Sequence, residues 1–332
     1  MPTPATSGDG PAPATEPQAE PTPIEPTPID LGVDPGPIVP TDPLAVAGRK
    51  AMWPHVARLQ KHEAVMRDPA QADELRRYRV ATRRLRAALR LFGPAFRQAE
   101  VAPISKGLSD IADAVGLVRD LDVRIAALRD WAAARSPESP ALVQPLADAW
   151  RAERDDAMAR LERRLASRRH ARWWPKLVEF VRNDDHSGEI VRNRAGSQVW
   201  RAFEKVRALA PAIGTADAAA LHRLRIEAKR LRYSLEFLGD VLGPDRAWLV
   251  ERLVALQDHL GALNDATLTA AAVRSFHDGD RGLTAAERVE LAAYLDDQDR
   301  RSAALRAGVA GPWRPVASLA FARRLAGTAI VR

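Results

Sequence analysis

The sequence predicts an all-α protein made of two similar halves, and three observations support this prediction. From Leu44 onward Ala, Leu, Arg and Glu dominate, while the alternating polar and apolar runs expected of strands are absent. Two 19-residue segments that lie 146 residues apart carry the same pattern of basic and apolar residues. A second pair of matching blocks follows them, 145 residues apart. Because duplicated helical blocks pack as repeated units, we predict two helical bundles with pseudo-two-fold symmetry and a shared basic groove.

Turn-forming residues divide the chain into twelve predicted helices. The breakers include Gly93-Pro94, Ser136-Pro137 and Gly243-Pro244, which do not continue a helix easily. The first half is predicted to contain helices at 45–67, 72–92, 95–115, 119–133, 141–168 and 172–182. The second half is predicted to contain helices at 190–210, 216–238, 244–261, 264–276, 284–307 and 313–326.

The two repeated segments each place basic residues at intervals of three and four. They read LRRYRVATRRLRAALRLFG, from Leu75 to Gly93, and LHRLRIEAKRLRYSLEFLG, from Leu221 to Gly239. The first basic stripe consists of Arg76, Arg79, Arg83, Arg86 and Arg90, and the second consists of His222, Arg225, Lys229 and Arg232. With 3.6 residues per turn, each set falls on one helix face. An apolar stripe runs one residue before each basic one, so each helix can pack on a core and present a row of cations that suits an elongated polyanion.

Two interpretations of the basic stripes differ in what neutralises them. Like charges at these spacings destabilise a helix by a few tenths of a kcal/mol per pair, so a function can explain why they are tolerated. The alternative is that acids neutralise the stripes, for instance Glu74, Asp110, Asp113, Glu227 and Glu236. We favour ligand binding because the phasing occurs twice. Arg84 and Arg230 lie one residue off the stripes and are predicted to be second-tier contacts with the ligand. His222 has three possible roles, as a phosphate ligand, a general acid or a buried histidine.

The second pair of blocks places a glycine and an aspartate at matching positions. Gly116 matches Gly261, and Asp120 matches Asp265. An aspartate that follows a glycine at a helix boundary is most simply the N-cap of the next helix. We therefore predict that a helix ends near each glycine.

Charge and proline are unevenly distributed and suggest where the folded part begins. Residues 1–44 contain 13 of the 25 prolines, seven acidic residues and no Lys or Arg, so we predict a disordered acidic tail. The remainder holds 50 basic residues against 36 acidic ones and is predicted to form one helical domain with halves at 45–185 and 186–332. This balance favours an anionic partner such as nucleic acid, a phosphate polymer or an acidic membrane surface.

Several classes of protein are disfavoured by what the sequence lacks. There is no cysteine and no HExxH spacing, so we expect no metal site, and no P-loop, GxGxxG or GxSxG motif is present, so we expect no cofactor. There is no apolar run of 18 residues and no signal-like start, so we expect no membrane insertion and a cytoplasmic location.

The repeated motifs resemble those of the CHAD family, the conserved-histidine α-helical domain. The resemblance rests on RVATRRLR from Arg79, HRLRIEAKRLRY from His222 and LQDHLGALND from Leu256, and it spans roughly residues 48–325. It implies two four-helix-bundle halves around a basic cavity that binds inorganic polyphosphate, often at polyphosphate granules. By motif position, it implies binding by Arg79, Arg83, Arg86, His222, Arg225, Lys229 and Arg232.

The sequence departs from the family pattern at Arg76, where the family usually has its first histidine. A guanidinium binds phosphate and keeps its charge, so we expect binding to persist with a weaker pH dependence on that side. Many relatives carry an upstream triphosphate-tunnel catalytic domain, whose Glu-x-Glu-x-Lys signature is absent here. We therefore expect a protein that is not an enzyme and has no catalytic residues.

Two other functions remain open at this stage. A nucleic-acid-binding protein would need base-reading or stacking residues beside the stripes, and nucleic acid is predicted to bind only as a non-specific competitor. An enzyme that processes phosphoryl groups would need a carboxylate cluster for Mg²⁺, for which Glu227 and Glu236 are the only candidates within the stripe helices.

Overall fold

The computed structural model describes residues 29–65, 72–183, 187–215, 217–279 and 281–330. Within those ranges every regular element is helical, and the only β-pairing is an isolated bridge between Pro43 and Ile190. The first half contains α1 (Leu44–Glu63), α2 (Ala72–Phe92), α3 (Gln98–Arg135), α4 (Ser139–Leu142), α5 (Gln144–Leu165) and α6 (Arg168–Arg182). The second half contains α7 (Val191–Arg207), α8 (Pro211–Thr215), α9 (Ala218–Phe237), α10 (Arg246–His277), α11 (Ala285–Gly308), α12 (Ala310–Ala317) and α13 (Leu319–Thr328). The predicted all-α class is confirmed.

The predicted breaks at Gly116 and Gly261 are wrong, because α3 and α10 continue without interruption through both glycines, and the helix predicted at 313–326 is instead divided at Ser318. An interior glycine costs a helix about 1 kcal/mol relative to alanine. Val115 and Val118 beside the first glycine, and Leu260 and Leu263 beside the second, are buried in the core, and their burial outweighs that cost. Asp120 and Asp265 are therefore not N-caps but lie inside continuous helices, about one turn after the glycines.

The two halves repeat one packing order. In the first half α1 packs on α2, α2 on α3 and α3 on α5. In the second half α7 packs on α9, α9 on α10 and α10 on α11. A further helix closes each bundle, since α6 contacts α1 and α3 while α13 contacts α7 and α10. The duplicated bundles are thus present, and the pseudo-two-fold axis that the duplication suggests stays a prediction.

The apolar stripes of α2 and α9 anchor these helices in the core. All of their predicted residues are buried, namely Leu75, Tyr78, Thr82, Leu85, Leu89 and Phe92 in α2, and Leu221, Leu224, Ala228, Leu231, Leu235 and Leu238 in and just after α9. Buried residues of both halves belong to one continuous hydrophobic cluster. Because one face of each helix is held in this cluster, the basic stripe beside it is held at the surface.

Residues 29–43 pack along α1, although they contain no helix. The Trp53 Nε1 donates to the carbonyl of Leu31 at 3.4 Å, and the Gln60 side chain donates to the carbonyl of Ile29 at 3.1 Å. The Lys50 ammonium lies 2.8 Å from the Asp42 carboxylate. The packed structure therefore begins before Leu44, while residues 1–28 of the predicted tail and the last two residues of the helix predicted at 45–67 lie outside the described residues.

The halves are joined at points remote from the stripes as well. The Ser139 hydroxyl of α4 donates to the Glu290 carboxylate of α11 at 2.7 Å, and Arg135 lies 2.9 Å from the same carboxylate. The Leu44 amide donates to the Glu189 carbonyl, and the Val191 amide to the Asp42 carbonyl.

In the described part of the chain, no helix is both long enough and apolar enough to span a bilayer.

Candidate polyanion-binding site

The two basic stripes meet where α2 and α9 pack against each other. Burial and, in decreasing order, the positive charges of Arg225, Arg83, Arg232 and Arg79 together lower the pKa of Lys229 from 10.5 to about 8. Two of these arginines belong to α2 and two to α9. Since charges act on a pKa in this way only when they are close, these five residues of the two stripes form one cationic cluster.

Contacts between α2 and α9 occur in reciprocal pairs. The Arg84 guanidinium lies 2.9 Å from the Glu236 carboxylate. The repeat makes Arg230 the equivalent of Arg84, and Arg90 the equivalent of Glu236. Burial and the positive charges of Arg230 and Arg86 lower the pKa of Arg90. Reciprocal contacts of this kind are what a two-fold relation predicts. The two predicted second-tier residues, Arg84 and Arg230, therefore lie at the helix–helix contact.

Acids of α3 neutralise part of the first stripe. The Arg79 guanidinium donates to Asp120 Oδ1 at 2.7 Å, and the Arg86 guanidinium donates to Asp113 Oδ1 at 3.4 Å. Asp113 is one of the acids that the sequence suggested for this role. Asp120 was missed, because the glycine before it suggested a helix N-cap rather than a position on an uninterrupted helix face.

The other suggested acids act elsewhere or at the edge of the cluster. Glu236 lies 3.4 Å from the Arg232 Nε and also pairs with Arg84, while Glu227 pairs with Arg230. The guanidiniums of Arg84 and Arg232 lie 5.9 and 5.0 Å from the ring centroid of Tyr233. Away from the stripes, Asp110 pairs with Arg164 and Arg169, and Glu74 with His62 and Arg77.

Most of the predicted binding residues have no acidic partner. Among the described residues, no carboxylate forms an ion pair with Arg76, Arg83, Arg90, Arg225, Lys229 or His222. The Arg225 Nε is buried and has no hydrogen-bond acceptor in the same part of the chain. His222 is exposed, which excludes the buried-histidine interpretation. Partial neutralisation thus leaves an excess of unpaired cations along the contact between α2 and α9.

A glycine faces the central cation of each stripe. The pairs Arg79–Asp120 and Arg86–Asp113 show that α2 and α3 run antiparallel, which places Gly116 opposite Arg83. The repeat makes Gly261 and Lys229 the equivalents of Gly116 and Arg83, so we expect a similar placement in the second half. A methyl group added to either glycine would meet no atom within 4 Å. Space is therefore open beside both glycines, on the faces of α3 and α10 that we expect to lie next to the two central cations.

Comparison with known proteins agrees with this arrangement. The model of the CHAD domain matches residues 50–274, about two thirds of the chain. The chain belongs to the CHAD family. Curated proteins give no match.

The CHAD fold also recurs in solved structures. PptA from Streptomyces chartreusis superposes with a TM-score of 0.68 at 15% identity, over 82% of this chain and 99% of that one. The CHAD domain from the plant Ricinus communis superposes with a TM-score of 0.62 at 24% identity, over 83% of this chain and 94% of that one. At these identities the likeness supports the fold alone.

Two polar residues of the second CHAD motif hold helices together. The buried Gln257 side chain donates to the Ala228 carbonyl at 3.0 Å and so ties α10 to the stripe helix α9. The His259 Nε2 lies 2.6 Å from the Leu305 carbonyl of α11 and so ties α10 to α11. In the described ranges, no three His, Asp or Glu side chains are grouped so that they could hold a metal ion.

Proposed function

We propose that this CHAD protein binds inorganic polyphosphate in the groove between its two basic stripes and does not change it chemically. One observation carries the proposal: Lys229 of the second stripe lies within the electrostatic reach of Arg79 and Arg83 of the first. The two stripes therefore act on one ligand rather than on two. The family resemblance supports the same ligand.

The length and composition of the stripes favour a linear phosphate polymer. From Arg76 to Arg90 the first stripe extends over about 21 Å of helix, at 1.5 Å per residue. Arginine predominates, and its planar fork can donate two hydrogen bonds to one phosphate. Neither stripe segment contains the Asn or Gln side chains that read bases. The groove thus offers phosphate contacts without features that select a nucleobase.

Binding is proposed to use the unpaired cations first. Arg83 and Lys229 occupy the centre of the cluster, beside the open space at the glycines. Arg225, Arg76 and His222 extend it along the helices, whereas Arg90 at the end of the first stripe lines a separate cavity. Arg79 and Arg86 can exchange the exposed carboxylates of Asp120 and Asp113 for phosphate at little cost, since exposed ion pairs contribute only about 0–1 kcal/mol. Association with polyphosphate granules in the cytoplasm would follow from this affinity.

Titration with competing polyanions tests the proposed ligand. At 0.15 M salt we expect long-chain polyphosphate to bind more tightly than tripolyphosphate, because it spans both stripes, and to displace double-stranded DNA. Binding is measured by calorimetry, and chain length is followed on gels during incubation with Mg²⁺. Equal affinity for DNA would show that bulk positive charge binds the ligand. Progressive shortening of the polymer would show instead that the protein is an enzyme.

The pKa of Lys229 predicts how affinity changes with pH. Since this pKa is about 8 in the free protein, Lys229 is largely protonated at pH 7 and largely neutral at pH 9.5. We expect the dissociation constant for long-chain polyphosphate to rise about tenfold over that range as one central cation is lost. Lys229→Arg is the matched control, because its guanidinium stays charged, and it should keep the dissociation constant nearly flat. An equally steep rise in the control would assign the pH dependence to other groups.

The open space beside the glycines predicts a steric effect on binding. Replacing both Gly116 and Gly261 by leucine should lower polyphosphate affinity by about tenfold, because the new side chains occupy the space next to Arg83 and Lys229. The melting temperature should not fall, because leucine has a higher helix propensity than glycine. The double alanine variant is the control, with a small side chain and the same gain in helix propensity. Unchanged affinity in the leucine variant would mean that the ligand does not enter this space.

A further inference from the structure

A separate cavity lies at the C-terminal end of α2, on a different face of α9 from Lys229. Its volume is about 790 Å³, which is within the range of small-molecule sites. The beginning of α1, the end of α2, the segment at 187–189, α7 and α9 form its walls. The face of α9 that lines it carries Glu227, Arg230 and Ser234, whereas Arg225, Lys229 and Arg232 of the stripe do not line it.

The charges of this cavity are mixed but predominantly positive. Five cationic side chains and two carboxylates line it. Each carboxylate has an arginine partner, since Glu189 pairs with Arg194 and Glu227 pairs with Arg230. In the described part of the chain, no carboxylate forms an ion pair with the remaining three cations, which are Arg90, Arg201 and Lys205. An anionic group could bind between these three.

Four polar atoms in the walls lack hydrogen-bond partners. They are Tyr233 Oη, Arg230 Nε, Glu227 Oε2 and Gln198 Oε1, and the statement holds for partners within the described residues. Tyr233 is 6% exposed, so its hydroxyl is also shielded from water. Buried polar groups are almost always paired, which makes four unpaired ones around one cavity unusual. A small rotation of these side chains towards a ligand would provide both donors and acceptors.

The repeat shows how the cavity side of the α2–α9 contact differs from its equivalent side. Position 90 of the first repeat corresponds to position 236 of the second, where the residue is Glu236. At that equivalent place Glu236 and Arg84 form an ion pair, which closes the contact. On the cavity side Arg90 instead faces Arg230, and burial together with the positive charge of Arg230 lowers the pKa of Arg90. This side therefore keeps an unbalanced positive charge that an anion would neutralise.

We propose that the cavity binds a compact phosphate ester that also carries hydrogen-bond donors, such as a nucleoside diphosphate. Its phosphates would bind Arg90, Arg201 and Lys205, and its hydroxyl or amino groups would donate to Glu227 and Gln198. Leu91 and Pro94 provide apolar wall for a base or sugar. Polyphosphate at neutral pH has acceptors only, so it would leave the Glu227 and Gln198 oxygens unpaired and meet two carboxylates.

Calorimetry on the full-length chain tests this site with ADP, ribose 5-phosphate and tripolyphosphate. We expect ADP to bind, and Arg201→Gln with Lys205→Gln to weaken it by about tenfold. Tyr233→Phe should also weaken ADP binding while leaving thermal stability unchanged or higher, since its hydroxyl has no partner in the described structure of the free protein. Arg160→Gln with Lys176→Gln, which makes the same charge change at exposed positions of α5 and α6, should have no effect on ADP.

Occupancy of the groove separates this proposal from the proposed function. ADP should still bind when the stripes are saturated with long-chain polyphosphate, and Arg83→Gln with Lys229→Gln should leave ADP affinity within about twofold. Loss of ADP binding in either case would assign it to the groove and overturn the separate site. Absence of binding by ADP and ribose 5-phosphate at millimolar concentration, or binding of tripolyphosphate alone, would overturn it as well. The affinity of the native chain for long-chain polyphosphate is measured separately, so none of these results decides whether the groove binds polyphosphate.

Discussion

Arg83→Gln combined with Lys229→Gln is expected to lower the affinity for long-chain polyphosphate by about 100-fold. These two residues are the central cations of the stripes and have no acidic partner in the described structure. A hydrogen bond to a charged group contributes about 1.5–3 kcal/mol, so two of them account for this loss. Glutamine retains polar character but cannot neutralise phosphate.

The same double variant is expected to be more stable than the native chain. The folded structure lowers the pKa of Lys229 below its value of 10.5, which means that the charged form is disfavoured there. Below about pH 8 this penalty is fully present, and it is relieved as the pH rises from about 8 to 10.5, because the unfolded chain then binds more protons. Allowing for solvent screening, removing the charge should raise the free energy of unfolding by about 2 kcal/mol at pH 7.

Calorimetric titration and thermal unfolding measure the two effects on the same samples. Arg160→Gln with Lys176→Gln is the matched control, because it removes the same charge from exposed positions outside the stripes. This control should retain most of the affinity and show no gain in melting temperature. A similar loss of affinity in both double variants would contradict the assignment of the groove.

Glu63→Ala is expected to lower the free energy of unfolding by about 3–4 kcal/mol. Glu63 ends α1 and is 5% exposed. Its carboxylate accepts a hydrogen bond from the Tyr78 hydroxyl of α2 at 2.9 Å and lies 2.7 Å from the His170 Nε2 of α6. The substitution deprives His170 of its described partner, removes the link among three helices and leaves a cavity, and each of these effects is destabilising.

Denaturant unfolding checks this prediction, with two comparisons. Glu63→Gln keeps an acceptor for Tyr78 and should cost less than half as much as the alanine variant. Glu179→Ala, an exposed change on α6, should cost less than about 0.5 kcal/mol. A loss below 1 kcal/mol in Glu63→Ala would show that the polar cluster does not hold the first bundle together.

The helices and their buried faces could be predicted because they depend on local spacing. The apolar stripes of α2 and α9 are buried as their periodicity indicated, since a helix of 3.6 residues per turn has only one face for them. The helix ends predicted at Gly116 and Gly261 were wrong because they depend on packing between distant parts of the chain. The helical propensity of a glycine is local, whereas the packing that carries α3 and α10 through it comes from distant parts of the chain.

Part of the candidate site could likewise be predicted from the sequence, and part of it depends on the tertiary structure. The sequence by itself determined which residues form the two rows of cations and that the rows are duplicated, because both properties follow from spacing along one helix. Only the tertiary structure decided that Lys229 lies near Arg83, that Asp120 pairs with Arg79, and that α7 brings Gln198 and Arg201 to a cavity beside Arg230. These contacts join residues from different helices, and their distances depend on how the helices pack, which spacing along a single helix does not specify.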